Sequence, residues 1–416
     1  MKRRDFLKIA GAVSLAGCAA TTPSKARVVV IGGGYGGATA AKYIRMWDPA
    51  IDVVMVERES AFISCPLSNL VLGGSKSLDD LTRSREGLRK YGVQIVNDDA
   101  TMVDATKKVV RLARGGDLAY ERLIVSPGID FLFNEVEGYE TAMNSGRVLH
   151  AWKAGAQTVE LRKQLVAMKD GGVYVLAIPT APYRCPPGPY ERVCQVAHYF
   201  RQAKPRSKIL LLDANPDVTS KGPLFKRAWE ELYKGIIEYR PNQKAIGVDV
   251  AAMAVKLEFE NVSGDVLNVV PPHRAGDIAV KTGLITHNNR WCDVDWRTLE
   301  SKTAKGVHVL GDATLSASGM PKSGHMANSQ AKVCAAAVIA LLNGREPSAN
   351  PVMNNTCYSF VSDREVIHVA SVHQWDAAQG TIIPVKGAGG VSSARSEQEA
   401  AYGWSWARNI WADMLA

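Results

Sequence analysis

The 416-residue sequence lacks any Cys-x-x-Cys pair, the spacing that a zinc ribbon or an attached c-type haem needs. Its eight histidines are scattered without ligand spacing, so no metal site is expected. It has no Lys/Arg-rich run and no interleaving of basic with aromatic residues. A formal charge of +9, of which +3 sits in the first eighteen residues, is mild. Nucleic acid is therefore excluded as the natural partner, while a basic face can still steer an acidic protein. After the first residues no apolar run is long enough to cross a bilayer. The apolar content of 46% and charged content of 22% are those of a globular chain, long enough for two or three domains.

What is present begins at the N-terminus. "KRRDFLKIAGAVSLAGCAA" joins the pair Arg3–Arg4 to a short apolar run from Ile9 to Gly17. This reads as a twin-arginine export signal over residues 1–25, and hence a periplasmic protein. "LAGC", Leu15 to Cys18, resembles a lipoprotein cleavage box that would leave Cys18 as a lipid anchor; plain cleavage nearby is the alternative. Export places the other six cysteines, Cys65, Cys185, Cys194, Cys292, Cys334 and Cys357, where disulfides persist.

"ARVVVIGGGYGGATAAKYI" is a β-branched strand running into G-x-G-x-x-G on Gly32, Gly34 and Gly37, followed by a helix. A second strand ends at Glu57, twenty residues past Gly37, where an acid catches a ribose hydroxyl. Glycines allow backbone to approach a pyrophosphate at the helix N-terminus. "YERLIVSPGI" and "GVHVLGDAT" resemble the segments that leave and re-enter the FAD domain of two-domain flavoproteins, with Asp312 on the ribityl chain. The expected fold is α/β and glutathione-reductase-like, with two dinucleotide-binding domains and a C-terminal α+β interface domain. The FAD domain spans 26–137 and 271–345, the second nucleotide-like domain 138–270, and the C-terminal domain 346–416.

The second domain repeats the strand–helix–strand pattern, but its turn reads "IPTAPYRCPPGPYE". Proline offers no N–H and blocks close approach, so the phosphate cradle is missing and NAD(P)H is disfavoured. That turn carries Cys185, with Cys194 nine residues on. Pro189 suits the first turn of a helix, which makes Cys194 and, on an Ala-rich helix, Cys334 small core residues. A distant mate for Cys185 is then favoured over Cys194. Cys292 has no assigned role. The C-terminal Trp404, Trp406 and Trp411 read as a packed element before a docking surface.

"CPLSN", "HAWKAG", "RCPPGPYERVCQVA", "PPHRAG", "MPKSGHMANSQAKV" and "NTCYS", with the glycine turn, resemble the flavoprotein subunit of flavocytochrome c sulfide dehydrogenase; sulfide:quinone oxidoreductase is the neighbouring family. The resemblance implies FAD joined covalently to Cys65 and a redox-active disulfide between Cys185 and Cys357, with Glu191 as a candidate acid/base beside it. It places the helix after "KSGHMANSQ" at the flavin, with Lys322 nearby and His325 as a cap or packing residue. Hydrosulfide or polysulfide would be oxidised to zero-valent sulfur and the electrons passed to a separate cytochrome c subunit carrying the haem. The rivals are a sulfide:quinone oxidoreductase, which wants an apolar quinone channel, and a non-catalytic electron-transfer flavoprotein component, which sulfide alone would not reduce.

Overall fold

The computed structural model describes residues 26–416; the expected export signal and Cys18 lie outside them. The run Val28–Ile31 is buried at the centre of a seven-stranded sheet. β-Branched side chains lose little freedom in a strand and fill both faces of a covered parallel sheet. Strand Ala26–Ile31 pairs in parallel with Ile51–Val56 and with Arg122–Val125, so that Ile31 lies opposite both Val56 and Val125. Strand Val307–Val309, almost two hundred residues further on, joins the same sheet beside Arg122–Val125. Two separated pieces of chain therefore build one nucleotide-binding unit. Its helices Tyr35–Trp47 and Gly324–Leu342 pack on one another, and Cys334 is buried within the second.

Five parallel strands form the second unit, in the order Val148–Leu149, Val266–Val269, Val173–Ile178, Lys208–Asp213, Ile237–Arg240. Helix Gly188–Ala203 follows its central strand and carries Pro189 in the first turn, where the missing N–H has no partner to lose. Cys194, two turns along, is buried and its Sγ accepts from Trp229 Nε1 at 3.3 Å. Cys292 is also buried, with its backbone tied to Ala313.

The third unit is an antiparallel sheet of Val352–Phe360, Val366–Asp376 and Thr381–Val391, closed by helix Glu397–Leu415. Ser396 caps this helix by accepting from Glu399 N. Trp411 is buried against the first unit and donates to the Tyr35 hydroxyl at 3.2 Å; Trp404 packs on Phe360. Trp411 thus ties the third unit to the first while Trp404 packs within the third, the packing reading of these terminal tryptophans. Among the described residues no helix is long and apolar enough to cross a membrane.

Candidate active site

The three units meet around a cavity of about 940 Å³, a volume suited to a large cofactor. Strand Ala26–Ile31 opens into it through the glycine turn. Gly32 has φ +96°, and a Cβ there would lie 2.3 Å from the Ser126 carbonyl oxygen. At Gly37 a Cβ would lie 1.8 Å from the Gly32 oxygen, so this glycine closes helix on strand and does not itself line the cavity. Gly34 lines it, and a Cβ there would meet nothing within 4 Å: the space in front of the turn is free for a ligand.

Glu57 ends the second strand. Its carboxylate accepts from Gly33 N at 2.7 Å and from Glu59 N at 3.0 Å, and Arg85 lies 3.5 Å away. Glu57 thus braces the turn from which it faces the cavity. Across from it, Asp312 presents a buried Oδ1 with no hydrogen-bond partner, and burial raises its pKa. A buried unpaired carboxyl oxygen costs free energy unless a ligand supplies the missing donor. The glycine turn, the acid and this orphaned oxygen fit FAD, with a ribityl hydroxyl as the donor.

Lys322 corrects one expectation: it does not line this cavity. Its ammonium turns inward to the carbonyls of Asp312 and Thr314 and lies 3.7 Å from the centre of the Trp291 ring, and burial lowers its pKa to about 7. The neighbouring Ser323 and Gly324 do reach the cavity. Ser323 Oγ accepts from Met326 N at 3.0 Å, capping the Gly324–Leu342 helix so that its positive end faces the ligand space.

Three thiols line the same cavity: Cys65, Cys185 and Cys357. Cys65 Sγ accepts from Ala154 N at 3.5 Å. Cys185 has φ +59°, a conformation unusual for a residue with a Cβ, and its N–H donates to Lys322 O at 2.8 Å. Gly188 makes room for it, since a Cβ at 188 would lie 2.9 Å from Cys185 Sγ. Cys357 comes from the third unit, on strand Val352–Phe360, and its Sγ donates to Asn355 Oδ1 at 3.5 Å. The fold brings together two cysteines separated by 171 residues. Both are free thiols here, not the disulfide that the resemblance implies. Burial pushes both thiols up, and negative charge on Cys357 would push Cys185 further.

Glu191 is 5% exposed and lines the cavity. Its Oε1 accepts from Phe360 N at 2.8 Å and its Oε2 from Asn69 Nδ2 at 2.8 Å; desolvation raises its pKa despite both bonds. Asn69, from "CPLSN", also accepts from Arg192 Nε at 3.0 Å and so stands between a buried acid and a buried guanidinium. Arg192 finds its other acceptors on His150 O, Ala151 O and Asn268 Oδ1. His325 accepts at Nδ1 from Thr356 N and Trp406 Nε1, a packing role for a neutral ring.

Sequence reasoning missed four residues here. Asn69 sits in a segment singled out only for its cysteine, and Arg192 directly follows the glutamate. Trp406 lines the cavity from the terminal helix, and Lys221 lies buried behind Cys357. Only Asn69 had a usable signal, the Ser-Asn pair that closes the Cys65 segment.

In the second unit the place of a dinucleotide is taken by side chains. Asp213 ends strand Lys208–Asp213, the position equivalent to Glu57. It accepts from Tyr190 OH at 2.8 Å, Tyr239 OH at 3.1 Å and Asn215 Nδ2 at 2.7 Å. Tyr183 and Thr219 complete a buried hydroxyl cluster over it. The acid that would hold a ribose is already satisfied from within.

A glycine cradle with an orphaned acid opposite, two nucleotide-type units and a thiol-lined cavity define a flavin-dependent oxidoreductase. Residues 26–167 match the pyridine nucleotide-disulphide oxidoreductase model. Residues 158–271 match the model for the central part of the sulfide dehydrogenase [flavocytochrome c] flavoprotein chain, and 349–415 that for the flavin-binding part of flavocytochrome c sulphide dehydrogenase. A sulfide dehydrogenase [flavocytochrome c] flavoprotein chain from Chlorobaculum thiosulfatiphilum is 60% identical over 45 residues, 11% of this chain and 94% of that relative. The chain belongs to the family of flavocytochrome c sulfide dehydrogenase flavoprotein chains, FAD-dependent oxidoreductases acting on sulfide. Over longer stretches it is similar to the mitochondrial sulfide:quinone oxidoreductase of Mus musculus, 26% identical over 72% of this chain and 68% of that one. In fold it is similar to the sulfide:quinone oxidoreductase of Aquifex aeolicus, with a TM-score of 0.75, 18% identity and coverage of 93% and 91% of the two chains.

Proposed function

We propose that this chain oxidises sulfide to zero-valent sulfur or polysulfide through Cys185 and Cys357 and delivers the electrons to a separate cytochrome c. The observation that carries this reading is the meeting of these two distant thiols in one cavity with Gly34, Glu57 and Asp312. Bound FAD would take up an electron pair and release it one electron at a time. Gly32, Gly34 and Glu57 would hold its nucleotide end, Asp312 its ribityl chain, and the first turn of helix Gly324–Leu342 its ring end.

In the oxidised pair, hydrosulfide attacks the Cys185 sulfur. The bond to Cys357 breaks, a persulfide forms on Cys185, and the electron pair of the broken bond stays on Cys357 as thiolate. A second hydrosulfide removes the outer sulfur as disulfide anion, leaving Cys185 as a thiol. The Cys185–Cys357 bond would be restored with the Cys185 proton passing to Glu191 and the electron pair going to the bound cofactor. Glu191, kept above the ordinary carboxylate range by burial, is the acid/base of the pair on this reading. Cys65 is the proposed point of covalent flavin attachment.

The haem would reside on the partner, since this sequence has no Cys-x-x-Cys-His. Quinone is the second reading, favoured by the similarity to sulfide:quinone oxidoreductases over most of the chain. Periplasmic location by twin-arginine export, with or without a lipid on Cys18, belongs to the same proposal; fractionation of the full chain and its Arg3→Lys, Arg4→Lys variant tests it.

Turnover with sulfide is measured against cytochrome c and against a soluble quinone, for the native protein and Cys185→Ser. The expected result is cytochrome c reduction by the native protein and none by the variant, with flavin still bound. Equal turnover by both proteins sinks the thiol mechanism, and preference for quinone sinks the cytochrome acceptor. Retention of flavin after acid denaturation, with the matching mass increase on the peptide of Cys65, tests the covalent bond.

A further inference from the structure

Among the described residues, Lys221 places its ammonium directly behind the Cys357 segment. It precedes helix Gly222–Leu232, with φ +57°, and is 7% exposed. Its Nζ donates to Cys357 O at 3.0 Å, Ser359 Oγ at 2.7 Å and Ile367 O at 3.4 Å. All three acceptors are neutral, two backbone carbonyls and a hydroxyl, and among the described residues Nζ makes no ion pair with a carboxylate. Burying an ammonium without a counter-ion is costly, and a chain keeps such an arrangement where an anion appears nearby. These contacts fix the cation to the backbone of Cys357 itself and to the side-chain hydroxyl of Ser359, two residues further along the same strand.

We propose that Lys221 is the counter-cation of the Cys357 sulfur, a positioning residue that makes the negative charge settle on Cys357, not on Cys185, when the pair opens. This rests on the thiol reading above and adds a direction to it. Hydrosulfide attacks Cys185, the sulfur–sulfur bond breaks, the new persulfide bond forms on Cys185, and the released electron pair becomes the Cys357 thiolate beside the ammonium. No proton is needed, because the negative charge of hydrosulfide is carried over to Cys357.

The surrounding charges agree. Burial lowers Lys221 to about 8, so it remains protonated at neutral pH. The Cys357 thiolate is the strongest anionic influence on it, ahead of Glu191, Cys185 and Glu399. At Cys357 burial raises the pKa, and Lys221 heads the influences that lower it, before the bonds to Asn355 and Ser323, while Glu191 opposes. Cys185 faces Cys357 and Glu191, which both raise it, and of the cations Arg184 acts on it ahead of Lys221.

The test uses the full-length holoprotein reduced with a phosphine, in the absence of sulfide. Iodoacetamide is added across pH 6–10, and alkylation of Cys357 and Cys185 is followed separately by peptide mass. In the native protein Cys357 is expected to react at lower pH than Cys185. Lys221→Met should slow Cys357 about tenfold at pH 8 while changing Cys185 little, and Lys221→Arg should restore the Cys357 profile. If Lys221→Met does not fold, Ser359→Ala, which frees one of the three bonds to Nζ, is expected to slow Cys357 selectively by a smaller factor. Unmoved profiles, or equal slowing of both thiols, overturn the proposal. The readout involves no sulfide, so it stands apart from the Cys185→Ser turnover test: that experiment can fail while Lys221 still sets the thiol order, and the reverse.

Discussion

Truncating Asn69 should cost more than any single hydrogen bond suggests, because it separates two buried ionisable groups. Asn69→Ala removes the bond to Glu191 Oε2 at 2.8 Å, that to Gly188 O at 3.1 Å, and the one from Arg192 Nε at 3.0 Å. Bonds to charged partners contribute about 1.5–3 kcal/mol each and the neutral one about 1 kcal/mol. Water admitted from the adjoining cavity replaces part of this at Glu191, and Arg192 keeps three other acceptors. The expected loss is therefore about 2–4 kcal/mol, below the sum of the three. For a chain of this size each kcal/mol lowers the midpoint by roughly 2 °C, so thermal unfolding of the holoprotein should fall by roughly 4–8 °C. A second arm is the double variant with Glu191→Gln. Shared partners make the two changes non-additive by about 1 kcal/mol or more, since Glu191 has already lost its Asn69 bond in the first variant. A midpoint within 1 °C of the native protein, or strict additivity, would refute the view that Asn69 is the strut between acid and guanidinium.

Gly34→Val should fold, since its side chain enters open space, but lose most of its flavin; a flavin-to-protein ratio equal to the native one would contradict the cradle. Gly188→Ala should displace the Cys185 thiol, because its Cβ meets Sγ at 2.9 Å and Trp152 at 3.1 Å. Sulfide turnover drops and flavin content holds, at a stability cost of about 1–3 kcal/mol read by urea midpoint. Glu191 has its folded pKa raised above 4.5, so its contribution to stability is complete below that value and is lost as pH rises through the folded pKa. Glu191→Gln should flatten this fall in stability above pH 4.5, and an unchanged slope speaks against a raised Glu191. Anaerobic NADH should leave the flavin spectrum unbleached, because Asp213 is already occupied by Tyr190, Tyr239 and Asn215; bleaching within minutes would show a working nicotinamide site.

Much of the scaffold is legible in the sequence because it follows from short-range rules. Val28–Ile31 and the glycines after it can only make a covered strand and a tight turn, and Cys194 and Cys334 fall on apolar helix faces. The proline turn announces the missing phosphate cradle through the chemistry of proline alone. What escapes is whatever depends on partners far away in the chain. Nothing in "TSKGPLF" shows that Lys221 reaches across to Cys357 and Ser359. "PKSGH" places Lys322 at a helix start, yet the carbonyls of Asp312 and Thr314 and the Trp291 ring draw its ammonium inward, away from the cavity. Side-chain direction at such a terminus is decided by tertiary neighbours. Asn69, likewise, acquires meaning only when Glu191 and Arg192 arrive beside it.

Cys185 stands on the central unit and Cys357 on the C-terminal one, and this placement bears on more than chemistry. When the two sulfurs are bonded, they close a loop of 171 intervening residues. Loop-closure entropy assigns a cross-link of that span about 5 kcal/mol of stabilisation. On the proposed thiol mechanism each catalytic cycle would fasten and unfasten a brace between two folded bodies. The oxidised protein is then expected to resist heat and proteases better than the protein reduced by sulfide without an electron acceptor.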